Sequence, residues 1–175
     1  MGSEARPVTI RRAHATDAET VARIHVASWN VAYRGIMPDD VIARTDVAYR
    51  TSFWKERLAD SMWPIFVMED AGRPIAFCHL IATAEPGVGE ITSIHVLPEL
   101  RGQGHGRRLL AHAFEEFRRR GFTQVTLWVL AENAKARAFY ERQGFALDGG
   151  TKTYPGTRVP EVRYRIRLSN PPYGE

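Results

Sequence analysis

The sequence predicts an α/β (α+β) fold. A central twisted sheet of about seven strands, mixed but mostly antiparallel, should carry helices on both faces. Three observations predict it. The 175 residues, 44% hydrophobic and 25% charged, suit one globular domain rather than two, or a disordered chain. Strand-like segments follow one another between residues 64 and 97 with turns between them, which points to antiparallel neighbours. The strand–helix–strand unit over residues 90–130 instead demands a parallel pair, because the chain must cross the sheet before it pairs again.

The elements follow in order. Residues 8–12 read as a first strand. Thr16-Asp-Ala-Glu19 has the form of a capping box, in which hydroxyl and carboxylate satisfy free N–H groups at a helix start. Val21, Ile24, Ala27 and Val31 then recur at helical spacing, and Arg34-Gly35 ends that helix after Tyr33. Residues 38–60 read as two helical pieces. Pro38 suits a first turn, and Phe53, Trp54 and Leu58 form a buried face on the second piece. Strands at 64–69 and 74–82 flank the turn Asp70-Ala-Gly-Arg73, and a loop at 85–89 leads to a strand at 90–97. Leu109, Leu110, Ala113, Phe114 and Phe117 form one apolar stripe on a helix over 104–120, which Gly121 stops. A strand at 123–130 precedes a short helix capped by Asn133 and ending at Gly144. Strands at 145–153 and 159–168 close the sheet through a Tyr-Pro-Gly turn. Residues 1–168 thus form a single domain, and 169–175, with two prolines, a flexible tail.

Composition removes several functions. No apolar run approaches the roughly 20 residues of a membrane span. The opening Met-Gly-Ser-Glu-Ala-Arg has no apolar core, and Arg6 breaks the myristoylation pattern. One cysteine, Cys78, excludes an intrachain disulfide and a cysteine-based zinc cluster, so a cytoplasmic protein without a metal is expected. Net charge is +4, and 21 of the 24 cations are arginine. The only run of three, Arg118 to Arg120, sits at a helix end, where cations complement the dipole. The surplus is otherwise scattered, which argues against a nucleic-acid partner.

The segment Leu97-Pro-Glu-Leu-Arg-Gly-Gln-Gly-His-Gly-Arg107 carries the chemistry. A strand ends there and a loop with three glycines opens a long helix. N–H groups at a helix start lack internal partners, and glycine lets an anion approach them, so the segment reads as a phosphate cradle with Arg101 and Arg107 as cationic donors at its rim. The dinucleotide fingerprint fails, because Arg107 stands at its third glycine. The nucleotide P-loop fails for want of Gly-Lys-Ser/Thr. Arg101-x-x-Gly104-x-Gly106 instead resembles motif A of the GCN5-related N-acetyltransferases (GNAT). Downstream, Asn133-Ala-Lys-Ala-Arg-Ala-Phe-Tyr-Glu-Arg-Gln-Gly-Phe145 resembles motif B, and Thr126-Leu-Trp-Val-Leu130 looks like the family's fifth strand. The resemblance covers residues 90–145 closely, and the element order fits over nearly the whole chain.

The resemblance implies an enzyme moving an acetyl group from acetyl-CoA to a primary amine, with no metal. Gly102, Gln103, Gly104, His105, Gly106, Arg107 and Arg101 would hold the pyrophosphate. The main chain of Ile94, His95 and Val96 would meet the pantetheine arm, and Asn133 would contact that arm or simply cap its helix. Tyr140 matches the motif B tyrosine that faces the sulfur; as a plain helix residue it would pack, a task Phe139 can fill. Glu90, eleven residues before Arg101, stands where protein-lysine members carry a base; otherwise it is a polar strand end. Solvent is another proton acceptor, and His95 a rival base. On simple alternation His95 faces away from Glu90, unless the strand bulges as it does in this family. Acceptor recognition would involve residues 28–40, where Trp29 and Tyr33 share a helix face as pocket wall or core. The stretch Ala-Tyr-Arg-Gly-Ile-Met-Pro is similar to bacterial members acting on small amines, polyamines among them, for which Asp39, Asp40 and Glu90 are the available carboxylates. A small-molecule amine is the expected acceptor, with direct transfer in a ternary complex and Cys78 in the core. Protein amino termini or lysines are the alternative acceptors, and a non-catalytic coenzyme A-binding module the alternative from another class. Dimers are common in the family, which adds a homodimer to the partners the resemblance implies.

Overall fold

The computed structural model describes residues 7–60 and 62–169, so all of the expected tail at 169–175 except Ser169 lies outside the described residues. Seven strands form one sheet: β1 (Thr9–Arg12), β2 (Ile65–Asp70), β3 (Arg73–Ala82), β4 (Val88–Val96), β5 (Gln124–Leu130), β6 (Ala146–Thr153) and β7 (Pro160–Arg167). Their spatial order is β1-β2-β3-β4-β5-β7-β6. Only β4 and β5 pair in parallel; every other neighbour is antiparallel. The described residues also form five α-helices: α1 (Ala18–Ala32), α2 (Asp39–Arg44), α3 (Val47–Ala59), α4 (His105–Arg119) and α5 (Ala134–Arg142).

Strand alternation divides the core in two. Phe66, Met68, Ala76, Cys78, Leu80, Ile91, Val125 and Leu127 meet the α4 stripe of Leu109, Leu110, Ala113 and Phe117 on one face, with α5 beside it. Ile65, Val67 and Phe77 meet Val21, Ala22 and Ile24 of α1 and Trp54 of α3 on the other. Gly89 lets α4 come close: a Cβ there would run into the Phe117 ring. A third cluster joins Trp29 of α1, Met37 and Val41 around α2, Leu130 at the end of β5, and Tyr154 and Val159 of the β6–β7 turn.

The helix start expected at Thr16 is built differently. Asp17 accepts the His14 N–H at 2.7 Å and ends a one-turn 3-10 segment, Ala15–Asp17, ahead of α1. Arg11 of β1 fixes that carboxylate through two hydrogen bonds of 2.8 and 2.9 Å, so a tertiary partner selects Asp17 over Thr16. Glu19 pairs outward with Arg23. Pro38 is the cap residue of α2 rather than part of its first turn, and Asn133 caps α5 as expected, accepting the Ala136 N–H at 3.2 Å.

Two irregularities in β4 shape the interior. His79 pairs with Ser93 and Leu80 with Ile91, so Thr92 is an extra residue in the ladder. Its hydroxyl is held 2.7 Å from the His79 Nδ1. Beyond the bulge the facing of the strand reverses. Pairing with β5 also covers only Val88, Gly89 and Glu90; from there the two strands part as a wedge.

Candidate active site

One wall of the wedge leads to the start of α4. Gly102 and Gly104 hold φ of +78° and +85°, the left-handed region that glycine enters without strain. The main-chain N–H groups of residues 102–107 donate to no group among the described residues, and the first helix-closing bond runs from Arg108 to Gly104. Gly106 backs onto Phe139, where a Cβ would stand 3.1 Å from the ring. His105 is buried with its Nδ1 unpartnered. Six consecutive free donors at the positive end of a fifteen-residue helix fit a diphosphate.

Arg101 departs from expectation. Its guanidinium turns inward and donates to the Ser28 carbonyl and hydroxyl, both at 2.9 Å, so it ties the cradle to α1 instead of lining the rim. Arg107 remains exposed beside the loop.

The edge of β4 that faces the wedge has no ladder partner after Glu90. Ile94, His95 and Val96 lie along it, half-buried. Because of Thr92, Ile91, Ile94 and Val96 face α4, while Glu90 and His95 share the α1 side. Alternation alone put them on opposite faces; the bulge corrects that. His95 hydrogen-bonds Ser28 at 3.0 Å and stacks on His25 at 4.4 Å. Burial, with Arg50 and Arg101 nearby, pushes its pKa down to about 3, which makes it a poor proton acceptor.

Glu90 has the opposite bias. Burial raises its carboxyl, against the pull of Lys152, the Trp128 indole and Arg163. Burial raises the carboxyl of Glu161 on β7, a residue absent from the sequence reading, and the nearby Glu90 adds to that rise. Lys152 lies 3.7 Å from Glu161 and 4.3 Å from the Trp128 ring centroid. Asp39 and Asp40 are exposed on α2 and take no part. Tyr140 packs edge-on against Phe139 and Phe145, and its hydroxyl has no hydrogen-bond partner among the described residues. Burial, with the Tyr33 hydroxyl nearby, raises its pKa. Tyr33 is half-buried, within electrostatic reach of Tyr154, Glu161, Arg50 and Arg101. Trp29, 1% exposed, is core. Tyr33, Tyr140, Glu90 and Glu161 therefore gather around one region, and the cradle is tied to it through Arg101. A groove of about 650 Å3 between α4 and β1, lined by Phe66, Arg108 and His112 among others, contains none of these residues.

Residues 23–145 match the family model of the acetyltransferase (GNAT) family. The chain belongs to the GNAT acetyltransferases. A probable N-acetyltransferase of Mycobacterium tuberculosis is 30% identical over 174 residues, spanning 94% of this chain and 97% of its own length. An N-acetyltransferase of Bacillus subtilis is 33% identical over 163 residues, 91% of this chain and 86% of that one. Among solved GNAT structures, the PaiA N-acetyltransferase of Thermoplasma acidophilum in complex with coenzyme A superposes with a TM-score of 0.77 at 20% identity, over 93% of this chain and 99% of that one. A putative acetyltransferase of Salmonella typhimurium with acetyl-CoA gives 0.68 at 22% identity, over 94% and 95%. These likenesses establish the GNAT fold.

Around Tyr33, the sequence reading did not single out Arg50, Lys152, Tyr154 or Glu161 as site residues. These four come from three separate stretches, and no spacing links them. The one available signal was the alternation Glu161-Val-Arg-Tyr-Arg-Ile-Arg167, which puts charge on one strand face.

Proposed function

We propose that this GNAT enzyme transfers acetyl from acetyl-CoA directly to the primary amine of a small molecule. The observation that carries the reading is the run of six undonated amides at 102–107 beside the unpaired edge of β4. Acetyl-CoA would supply an activated thioester carbonyl. The amides of 102–107 bind its diphosphate, and the main chain of Ile94, His95 and Val96 aligns the pantetheine arm. Main-chain donors of the same edge steady charge on the carbonyl oxygen. Glu90 takes a proton from the acceptor ammonium, which has no lone pair until it loses one. Tyr140 holds a proton at its hydroxyl for the departing sulfur. Asn133 caps α5 and so fixes Tyr140 within it.

Two features support the finer terms. Trp29, Met37, Val41 and Tyr154 pack α1, α2 and the β6–β7 turn together over the acceptor side, which suits a small amine better than an open peptide groove. The sole thiol, Cys78, is fully buried with its pKa pushed up to about 12, which disfavours a covalent carrier and favours a ternary complex. A cytoplasmic setting agrees with that single reduced cysteine.

The test is an acetylation screen over a panel of amines, read by mass spectrometry with thiol release alongside. At least one small amine should be acetylated, and Tyr140→Phe should lower its turnover about tenfold or more with little change in coenzyme affinity. Acetylation of peptides alone would sink the reading.

A further inference from the structure

The acceptor side contains a cation without a counter-charge. Arg50 of α3 is only 6% exposed. Its Nη2 donates to the Tyr154 hydroxyl at 3.3 Å, and its Nε is buried without a partner. No carboxylate forms an ion pair with it among the described residues. Aromatic rings surround it instead: Phe53, Trp29 and Tyr49, with centroids 5.2, 5.5 and 5.6 Å from the guanidinium carbon.

Taking a guanidinium out of water is costly, and ring faces offset only part of that cost. The planar fork of N–H donors matches the two oxygens of a carboxylate. Here the single hydrogen bond it makes among the described residues is long for a charged donor, and so readily exchanged. Two carboxylates belong to the same neighbourhood. The Tyr33 hydroxyl is within reach of both Glu161 and Arg50, and Glu161 neighbours Glu90. A site with both carboxylates and a bare guanidinium suits a dipolar molecule.

We propose that the acceptor carries a carboxylate as well as its amine, and that Arg50, with the Tyr154 hydroxyl beside it, receives the carboxylate. The inference rests on the small-molecule reading above and narrows it to amino acids and related amino carboxylates. Arg50 then determines specificity: the carboxylate takes over the fork that Tyr154 now touches, and the amine is left toward Glu90.

The experiment uses the whole chain, acetyl-CoA and matched acceptors: α-amino acids and ω-amino acids, each beside the amine that lacks the carboxylate. At least one amino acid should exceed its partner amine about tenfold or more in kcat/KM. Arg50→Gln should lower kcat/KM for that amino acid at least about tenfold more than for the amine, chiefly through KM, and Arg50→Lys should recover part of the loss. Amines that serve as well as their carboxylated partners overturn the inference but leave the small-molecule reading intact. An equal loss for both acceptors in Arg50→Gln, with no recovery in Arg50→Lys, reduces Arg50 to a structural residue and overturns it too. If neither kind of acceptor turns over while coenzyme A binds by calorimetry, the small-molecule reading fails and the inference with it.

Discussion

Glu90 and His95 stand on the same side of one strand, yet burial drives them to opposite ends of usefulness as a base. Burial favours the neutral form of each, which strengthens a carboxylate as proton acceptor and weakens an imidazole. The Glu90 pKa lies above its usual 4.5. The acceptor's kcat/KM should therefore rise with pH along a limb above 4.5, since below it the carboxyl is neutral and accepts nothing. Glu90→Gln should abolish the limb and lower kcat about a hundredfold. A pH–rate profile of both proteins decides it, and a limb that survives belongs to another group. The stability sign runs the other way. A carboxyl whose pKa is raised by folding weakens the native state once pH passes that value, so Glu90→Gln should be no less stable than the parent at pH 7 in urea. Glu90 became a candidate through the family resemblance, which places a base at its distance from the glycine loop. The side on which His95 lies was not, because it depends on one inserted residue that no periodicity marks.

At the level of elements, the long patterns were readable. The five apolar positions between Leu109 and Phe117 predicted α4 within a residue at each end, because a buried stripe and a stop glycine agree there. Asn133 likewise announced α5 correctly. Short signals with rivals were not decisive: Thr16 and Asp17 both offer a cap, and Arg11, 58 residues from its other acidic partner Glu69, tips the choice. The contact of α4 with the sheet was likewise hidden, since Gly89 looked like the end of a loop. It is where Phe117 presses on β4, one residue before Glu90. Gly89→Ala should push ring and strand apart, lowering stability by about 1–3 kcal/mol in chemical denaturation. Activity should fall as well, because the same displacement moves Glu90. A variant with unchanged stability would mean that Phe117 finds another rotamer freely.

Across the whole molecule, what could be read depended on whether a site is local in the chain. The glycine loop is one contiguous stretch, so its free amides were legible in the sequence, and the resemblance to motif A supplied the ligand expected there. The cluster around Tyr33, Glu90 and Arg50 draws on α1, α3, β4, β5, β6 and β7, and only folding brings these together. The cradle also links binding to stability. At a coenzyme A concentration 100 times its Kd, the native state should gain about 2.7 kcal/mol. For a chain of this size that corresponds to a rise of roughly 5–10 °C in Tm. Gly104→Val, forced into a left-handed φ, should lose most of that rise in a thermal melt, and a full rise in the variant would show that the loop geometry is dispensable. The bulge at Thr92 acts by number more than by chemistry. Exchanging its side chain removes two hydroxyl contacts with His79, but deleting the residue would put the strand out of phase, swing the imidazole of residue 95 into the oily layer beneath α4, and turn the aliphatic neighbours out toward α1. Arithmetic, in this strand, keeps Glu90 and His95 apart from the greasy side.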